Sequence, residues 1–139
     1  MATRTFLARN GTDRLVVSTI RTHFIFFHEA GVEFRAQRKR GFRWLPNDDA
    51  EQPRDIRCTF NQGVAPSAFG ATPQSGTGFF KLSCDHMALR THCVDVVRGG
   101  PTRSDLDPRP GPSNDARNVR DVVVHFTYDG QEQTLRHSG

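Results

Sequence analysis

The sequence lacks a long hydrophobic run. Its longest stretch of consecutive apolar residues is Phe24-Ile25-Phe26-Phe27, whereas a helix needs about 20 apolar residues to cross a bilayer. Residues 1–7 also contain no apolar stretch of the kind found in signal peptides. The pattern predicts no membrane-spanning helix, and we expect a cytoplasmic protein.

Cysteine is scarce as well. The chain has three cysteines, Cys58, Cys84 and Cys93, which are odd in number and lack CxxC spacing. The spacing indicates neither a disulfide framework nor a structural zinc site. Because free cysteine is among the most buried residue types, we expect buried free thiols.

Lysine is nearly absent, because the 19 basic residues include only Lys39 and Lys81 besides arginine. Arginine suits planar, bidentate recognition of carboxylate or phosphate. A coding bias toward arginine explains the same composition, and the sequence leaves both explanations open. The formal net charge of +4 is too small to make nucleic acid the expected main partner.

What the chain does have is short stretches of alternating apolar and polar residues, which predict β-strands. A length of 139 residues, with 11 Phe available for a core, indicates a single domain over residues 1–139. Turn signals stand at Ala30-Gly31 and Asp129-Gly130. The predicted strands cover residues 15–20, 22–28, 32–36, 55–60, 78–83, 119–128 and 131–136.

One segment departs from this alternation. Leu89, Cys93, Val96 and Val97 recur at helical spacing, and a strand over residues 91–97 is the competing interpretation. We predict a short helix here. The expected fold class is therefore an all-β antiparallel sandwich with one short helical connection.

The six histidines form no motif of a known catalytic class. His86, His92 and Asp95 are a possible metal-binding group, but a spacing of six places the two imidazoles on different faces of a helix. Solvated polar side chains explain these residues more simply. We therefore predict no catalysis, no metal and no cofactor.

A basic stretch between residues 35 and 43 has two interpretations. Arginine interleaved with aromatic residues can grip an anionic partner, either RNA or a membrane surface. The same alternation is typical of a solvated outer face of a sheet. The residues concerned are Arg35, Arg38, Lys39, Arg40 and Arg43, with Phe42 and Trp44 among them.

Several segments together resemble a known family. Residues 31–35 (Gly-Val-Glu-Phe-Arg) followed by Trp44, residues 58–60 (Cys-Thr-Phe), residues 93–97 (Cys-Val-Asp-Val-Val) and residues 122–130 occur in the family's order. They are similar to segments of the fungal fruit-body lectins, the mushroom lectins of the Agaricus and Boletus type.

The resemblance implies an actinoporin-like β-sandwich that binds glycans without catalysis and assembles as a homotetramer. It implies recognition of galactose and N-acetylgalactosamine at one site and of N-acetylglucosamine at another. The first site would use Asn47, Asp48, Gly63, Ser67 and His86. The second would use Asp95, Val96 and Arg103. A basic binding module for anionic partners is the alternative function, with an actinoporin-like, pore-forming version among its forms.

Overall fold

The computed structural model describes residues 2–60, 67–70, 77–85, 92–98, 102–103 and 121–138. Throughout these residues the regular structure is β-strand, as the alternating pattern predicts. The strands are β1 (Thr3–Leu7), β2 (Asp13–His23), β3 (Phe27–Arg40), β4 (Arg43–Pro46), β5 (Arg54–Phe60), β6 (Ser67–Gly70), β7 (Thr77–Asp85), β8 (His92–Arg98), β9 (Thr102–Arg103), β10 (Asp121–Tyr128) and β11 (Gln131–Ser138).

The strands form two antiparallel sheets. The first sheet has the order β1-β2-β3-β7-β8, and the second has the order β11-β10-β5-β6-β9. Strand β3 pairs with β2 along one edge and with both β7 and β4 along the other. The paired strands β10 and β11, with their Asp129-Gly130 turn, confirm the predicted C-terminal hairpin.

The inner faces of the two sheets pack against each other. The ring of Phe126 in the second sheet lies 5.2 Å from the ring of Phe6 and 5.8 Å from that of Phe34, both in the first sheet, in edge-to-face geometry. Alternate residues of each strand supply this core. It includes Leu15, Val17, Val32, Ile56, Cys58, Phe80, Val122 and Val124. The described strands therefore form a sandwich-like, all-β arrangement.

An ion pair between Arg38 and the buried carboxylate of Asp13 fixes one end of the β2–β3 hairpin. Arg38 donates to both carboxylate oxygens of Asp13 at 2.8 and 3.3 Å, and the backbone N–H of Glu51 donates to the same carboxylate at 2.9 Å. The side chain of Asp13 is 3% exposed. The hydrogen bonds from Arg38 lower the pKa of Asp13, against the opposing effect of burial.

This pair predicts a specific dependence of stability on pH. Because the folded-state pKa of Asp13 lies below its unfolded value, its contribution is full above about pH 4 and is lost as pH falls through the folded pKa. We expect Asp13→Asn to lower the free energy of unfolding at pH 7 by about 1–3 kcal/mol. We also expect it to flatten the acid limb, which is the part of the stability–pH curve below about pH 4. Urea denaturation between pH 7 and pH 2 measures both effects. The exposed neighbour Asp49, changed to Asn, is the control, and an equally steep acid limb in Asp13→Asn would contradict the assignment.

The predicted helix is wrong. His92–Arg98 is strand β8, and it pairs with β7 from Phe79↔Arg98 to Asp85↔His92. The spacing of residues within one segment does not show how that segment pairs with another strand. The seven backbone pairings with β7 override the weak helical pattern. Leu89 lies outside the described residues.

Two further predictions around β3 are corrected. Residues 22–28 do not form one covered strand, because β2 ends at His23 and β3 begins at Phe27. Ala30 and Gly31 are not a turn, since both lie inside β3. Gly31 stands opposite Lys81, and a Cβ placed on it would lie 2.0 Å from the backbone oxygen of Phe80. The glycine is therefore required by the close approach of two strands.

We expect Gly31→Ala to lower the free energy of unfolding by at least about 2 kcal/mol, because backbone atoms of β7 must shift to admit a methyl group. Chemical denaturation measures the loss. Gly11→Ala is the matched control. Gly11 has a φ of +73° but no atom within 4 Å of an added Cβ, so it should lose only about 1 kcal/mol through backbone strain. Equal losses at the two positions would rule out the steric explanation.

The cysteines differ from the expectation in part. Cys58 is buried and free, as predicted, and burial raises the pKa of its thiol. Cys84 is disulfide-bonded, and Cys93 stands opposite it in the register of β7 and β8. The prediction of a free thiol is therefore wrong for Cys84, because residues nine apart in sequence became cross-strand neighbours. Disulfides are typical of oxidising compartments, so this bond does not favour the predicted cytoplasmic location.

Candidate functional site

The outer face of the second sheet carries a row of polar side chains. In β10 the residues alternate strictly, with Val124 and Phe126 buried, His125 exposed and Thr127 half-buried. His125 lies between Arg57 of β5 and Thr134 of β11 in the sheet register. Its Nδ1 atom is hydrogen-bonded to Oγ1 of Thr134 at 2.9 Å. Three neighbouring strands thus contribute polar groups to one row.

A β-bulge shapes this face. His125 pairs with Arg57 but Thr127 pairs with Arg54, so β5 has one extra residue at this point. Asp55 lies in the bulge with a φ of 52°, in the left-handed region where aspartate is tolerated better than most residues. A bulge bends its strand and redirects a side chain, and bulges are frequent beside functional sites.

The bulge and the polar row enclose an open cavity of about 540 Å³. Its walls offer acceptors, donors and groups that can do both. The carboxylates of Asp55 and Glu132 accept, the guanidinium of Arg57 donates, and Thr127, Thr134 and His125 supply groups of both kinds.

A smaller cavity of about 350 Å³ adjoins the first at Thr127. One wall is an ion pair in which the Nε of Arg9 lies 3.1 Å from Asp129, whose carboxylate also accepts from the backbone N–H of Arg9 at 2.8 Å. The hydrogen bond to Asp129 raises the pKa of Arg9, and the same bond lowers the pKa of Asp129. Gln52 also lines this cavity, and its buried Oε1 has no partner in the described part of the chain. The two cavities share Thr127 as a lining residue, and we call the larger one the polar groove.

The charges of the larger cavity are mixed. Two carboxylates, Asp55 and Glu132, face one guanidinium, that of Arg57. A polyanion such as RNA would meet these carboxylates as like charges, which destabilise binding. A neutral ligand with several hydroxyl groups can instead use every donor and acceptor in the cavity.

None of the described residues of the predicted first site lines either cavity. Asn47 and Asp48 lie in the turn after β4, where Oδ1 of Asn47 accepts from the N–H of Asp49 at 2.7 Å and the carbonyl of Asp48 accepts from Gln52 at 3.2 Å. Ser67 begins β6 of the second sheet, opposite Cys58. Gly63 and His86 lie outside the described residues.

The predicted second site falls on two edge strands. Asp95 and Val96 lie in β8, the edge of the first sheet, opposite Leu82 and Lys81. Arg103 lies in β9, the edge of the second sheet. His92, considered above as part of a possible metal-binding group, is in β8. Across the part of the chain that the structure describes, no group of three metal-binding side chains is found.

The basic stretch is partly committed to other contacts. Arg38 pairs with Asp13, and the Nε of Arg35 lies 3.4 Å from Glu33. Trp44 carries the guanidinium of Arg14 over its ring at 4.5 Å, in the first sheet rather than at the groove.

Sequence reasoning missed the groove. Its residues come from β5, β10 and β11, and the sequence signalled only the alternation of β10 and the Asp129-Gly130 turn that joins β10 to β11. The outward positions of β10 were predicted correctly from the alternation of Val122, Val124 and Phe126 against Val123 and His125. Their partners across the sheet depend on strand order, which the pattern does not contain.

Comparison with protein-family models, with curated proteins and with solved structures finds no match to this chain. The lectin resemblance therefore stays a prediction. Among the described residues, no helix is long and apolar enough to span a lipid bilayer.

Proposed function

We propose that this protein binds carbohydrate, without catalysis, in the polar groove on the outer face of the second sheet. The observation that carries the proposal is the concave row of mixed donors and acceptors formed by Asp55, Arg57, His125 and Glu132 beside the bulge. Neutral sugars are held by a few directional hydrogen bonds to such groups. Galactosyl and N-acetylglucosaminyl glycans are the first ligands to test, because the lectin resemblance names them.

Two features favour this site over an ordinary exposed sheet face: its backbone rests on buried residues, and its polar groups are already oriented. The backbone under the groove is fixed by the buried residues Val124 and Phe126, while the ring of His125 is oriented by its hydrogen bond to Thr134. A site whose polar groups are already placed loses less conformational entropy when a ligand binds.

A pair of variants tests the groove against the site implied by the resemblance. We expect Asp55→Gly to weaken glycan binding by about 10- to 100-fold, the effect of losing a charge-assisted hydrogen bond. Glycine accepts a positive φ without strain, so the bulge and the fold are retained. Isothermal titration with the glycans found on an array of galactosyl and N-acetylglucosaminyl ligands measures the loss.

Asp48→Asn is the matched control, because Asp48 belongs to the predicted first site and not to the groove. Unchanged binding in Asp48→Asn together with loss in Asp55→Gly supports the groove. The reverse result would move the ligand to the turn after β4. No binding by the wild-type chain to any glycan of the array would end the carbohydrate proposal.

The salt dependence of binding distinguishes carbohydrate binding from the alternative function, which is binding of an anionic partner. Binding of a neutral glycan should change less than about twofold between 50 mM and 500 mM salt, whereas binding of an anionic partner such as RNA falls by orders of magnitude. The measurement is the dissociation constant for the same glycan across that range. A steep decline would favour the basic module. A homotetramer remains part of the proposal, and sedimentation velocity measures it.

A further inference from the structure

The turn between β2 and β3 exposes an unusual set of side chains. Phe24, Ile25, Phe26 and Phe27 are 66%, 86%, 58% and 38% exposed. We call these four residues the apolar tip. Residues 22–28, which include the tip, contain no Asp, Glu, Lys or Arg. The end of this hairpin is therefore both apolar and uncharged.

The turn itself does not require large apolar residues at these positions. Phe24 and Phe27 are joined by backbone hydrogen bonds in both directions, at 2.7 and 3.4 Å, which leaves Ile25 and Phe26 as a two-residue loop. Such loops favour glycine or asparagine at positive φ. Two other hairpins of this chain follow that rule, with Gly41 at φ +60° and Asp129-Gly130 at φ 50° and 77°.

Neither Ile25 nor Phe26 has a positive φ, and both are bulky and exposed where a small polar residue would fold more readily. Local rules of this kind are broken most often at functional positions. Exposed side chains of this size also forgo the stabilisation of burial. With respect to the described residues, the tip is therefore an exposed apolar surface suited to burial against a partner.

Polar groups surround the tip at its base. Nδ1 of His23 and Nδ1 of His28 lie 2.7 Å apart, an arrangement that needs at least one neutral ring. Desolvation and the charge of Arg21 lower the pKa of His23, which favours its neutral form. Charged residues of both signs lie beside and behind the tip: Asp85 of β7 stands opposite Phe27. Arg21 stands opposite Ala30, and Glu29 is paired with Lys81 at 3.0 Å.

We propose that the apolar tip inserts into the interfacial region of a lipid bilayer. Four side chains of this kind at these exposures present about 400–500 Å² of apolar surface. That is about half of what each partner contributes to a standard protein–protein interface, so the tip alone is too small for a stable dimer. A bilayer requires no complementary shape, and aromatic residues favour its interface.

The dimensions agree with insertion at the interface. The turn extends about 10 Å beyond the level of Glu29, at about 3.3 Å per residue. Amphipathic segments at the bilayer surface bury their apolar side to about 5–10 Å. Ile25 and Phe26 at the end of the tip would therefore sit within the bilayer, while Arg21, Glu29 and Lys81 remain in water and Asp85, opposite Phe27, lies at the membrane surface. Because these charges have both signs, the attraction does not need anionic lipid.

Flotation of the full chain with phosphatidylcholine vesicles tests this proposal. We expect the wild-type protein to float with the vesicles at both 0.1 M and 1 M NaCl. Ile25→Asn combined with Phe26→Gly should reduce the bound-to-free ratio at least about tenfold. An Asn-Gly loop is favourable for a hairpin, so this variant should unfold at the same temperature or higher.

Phe42→Asn is the matched control. Phe42 is also fully exposed at a hairpin turn, but it lies at the other end of β3, about 45 Å away for a 14-residue strand. It should leave vesicle binding unchanged. The proposal is overturned if the wild-type chain does not float, if the loop variant floats equally well, or if Phe42→Asn loses as much binding. It is also overturned if flotation requires anionic lipid and disappears at 1 M NaCl.

A second measurement reports directly on insertion. In a Trp44→Phe background, Phe26→Trp places the single tryptophan of the chain in the tip. A blue shift of its emission on adding phosphatidylcholine vesicles, with quenching by brominated lipid, supports insertion. An unchanged spectrum with vesicles present contradicts it. Neither result depends on whether the groove binds glycans.

Discussion

The pairing of β2 with β3 is the constraint on which the rest of this structure depends. It runs through eleven consecutive residue pairs, from Asp13↔Arg38 to His23↔His28, and its inner face meets the second sheet through Phe34 and Phe126. The ion pair of Arg38 with the buried Asp13 fixes one end, because an unpaired carboxylate at that depth would be costly. The other end is left to a short loop of large apolar residues. The hairpin thereby carries the apolar tip at a defined distance from the core.

The two proposed functional surfaces lie on different sheets and depend on different structural features. The polar groove is made by a β-bulge at Asp55 and by outward positions of β10 and β11, so it belongs to the second sheet. The apolar tip belongs to the first sheet and depends on the length of β3. A glycan in the groove and a bilayer at the tip would be held by unrelated forces, since one relies on directional hydrogen bonds and the other on burial of apolar area.

Prediction from the sequence succeeded where neighbouring residues determine the structure. The alternation through Val122, Val124 and Phe126 identified β10, and the Asp129-Gly130 turn identified its hairpin with β11. It failed where long-range pairing decides. The turn predicted at Gly31 is wrong, because the close approach of β7 requires this glycine. The free thiol predicted at Cys84 is wrong, because nothing in the spacing of the cysteines shows that Cys93 will stand opposite it.

The sequence by itself determined the all-β class, because its period-two alternation and turn residues are local properties of the chain. It also determined that residues 24–27 form the longest apolar run, but not whether that run is buried or exposed. The tertiary structure alone decided that the run lies at a hairpin turn, and that Asp55, Arg57, His125 and Glu132 meet around one cavity. Strand order and register set these positions, and both arise from packing between residues far apart in the chain.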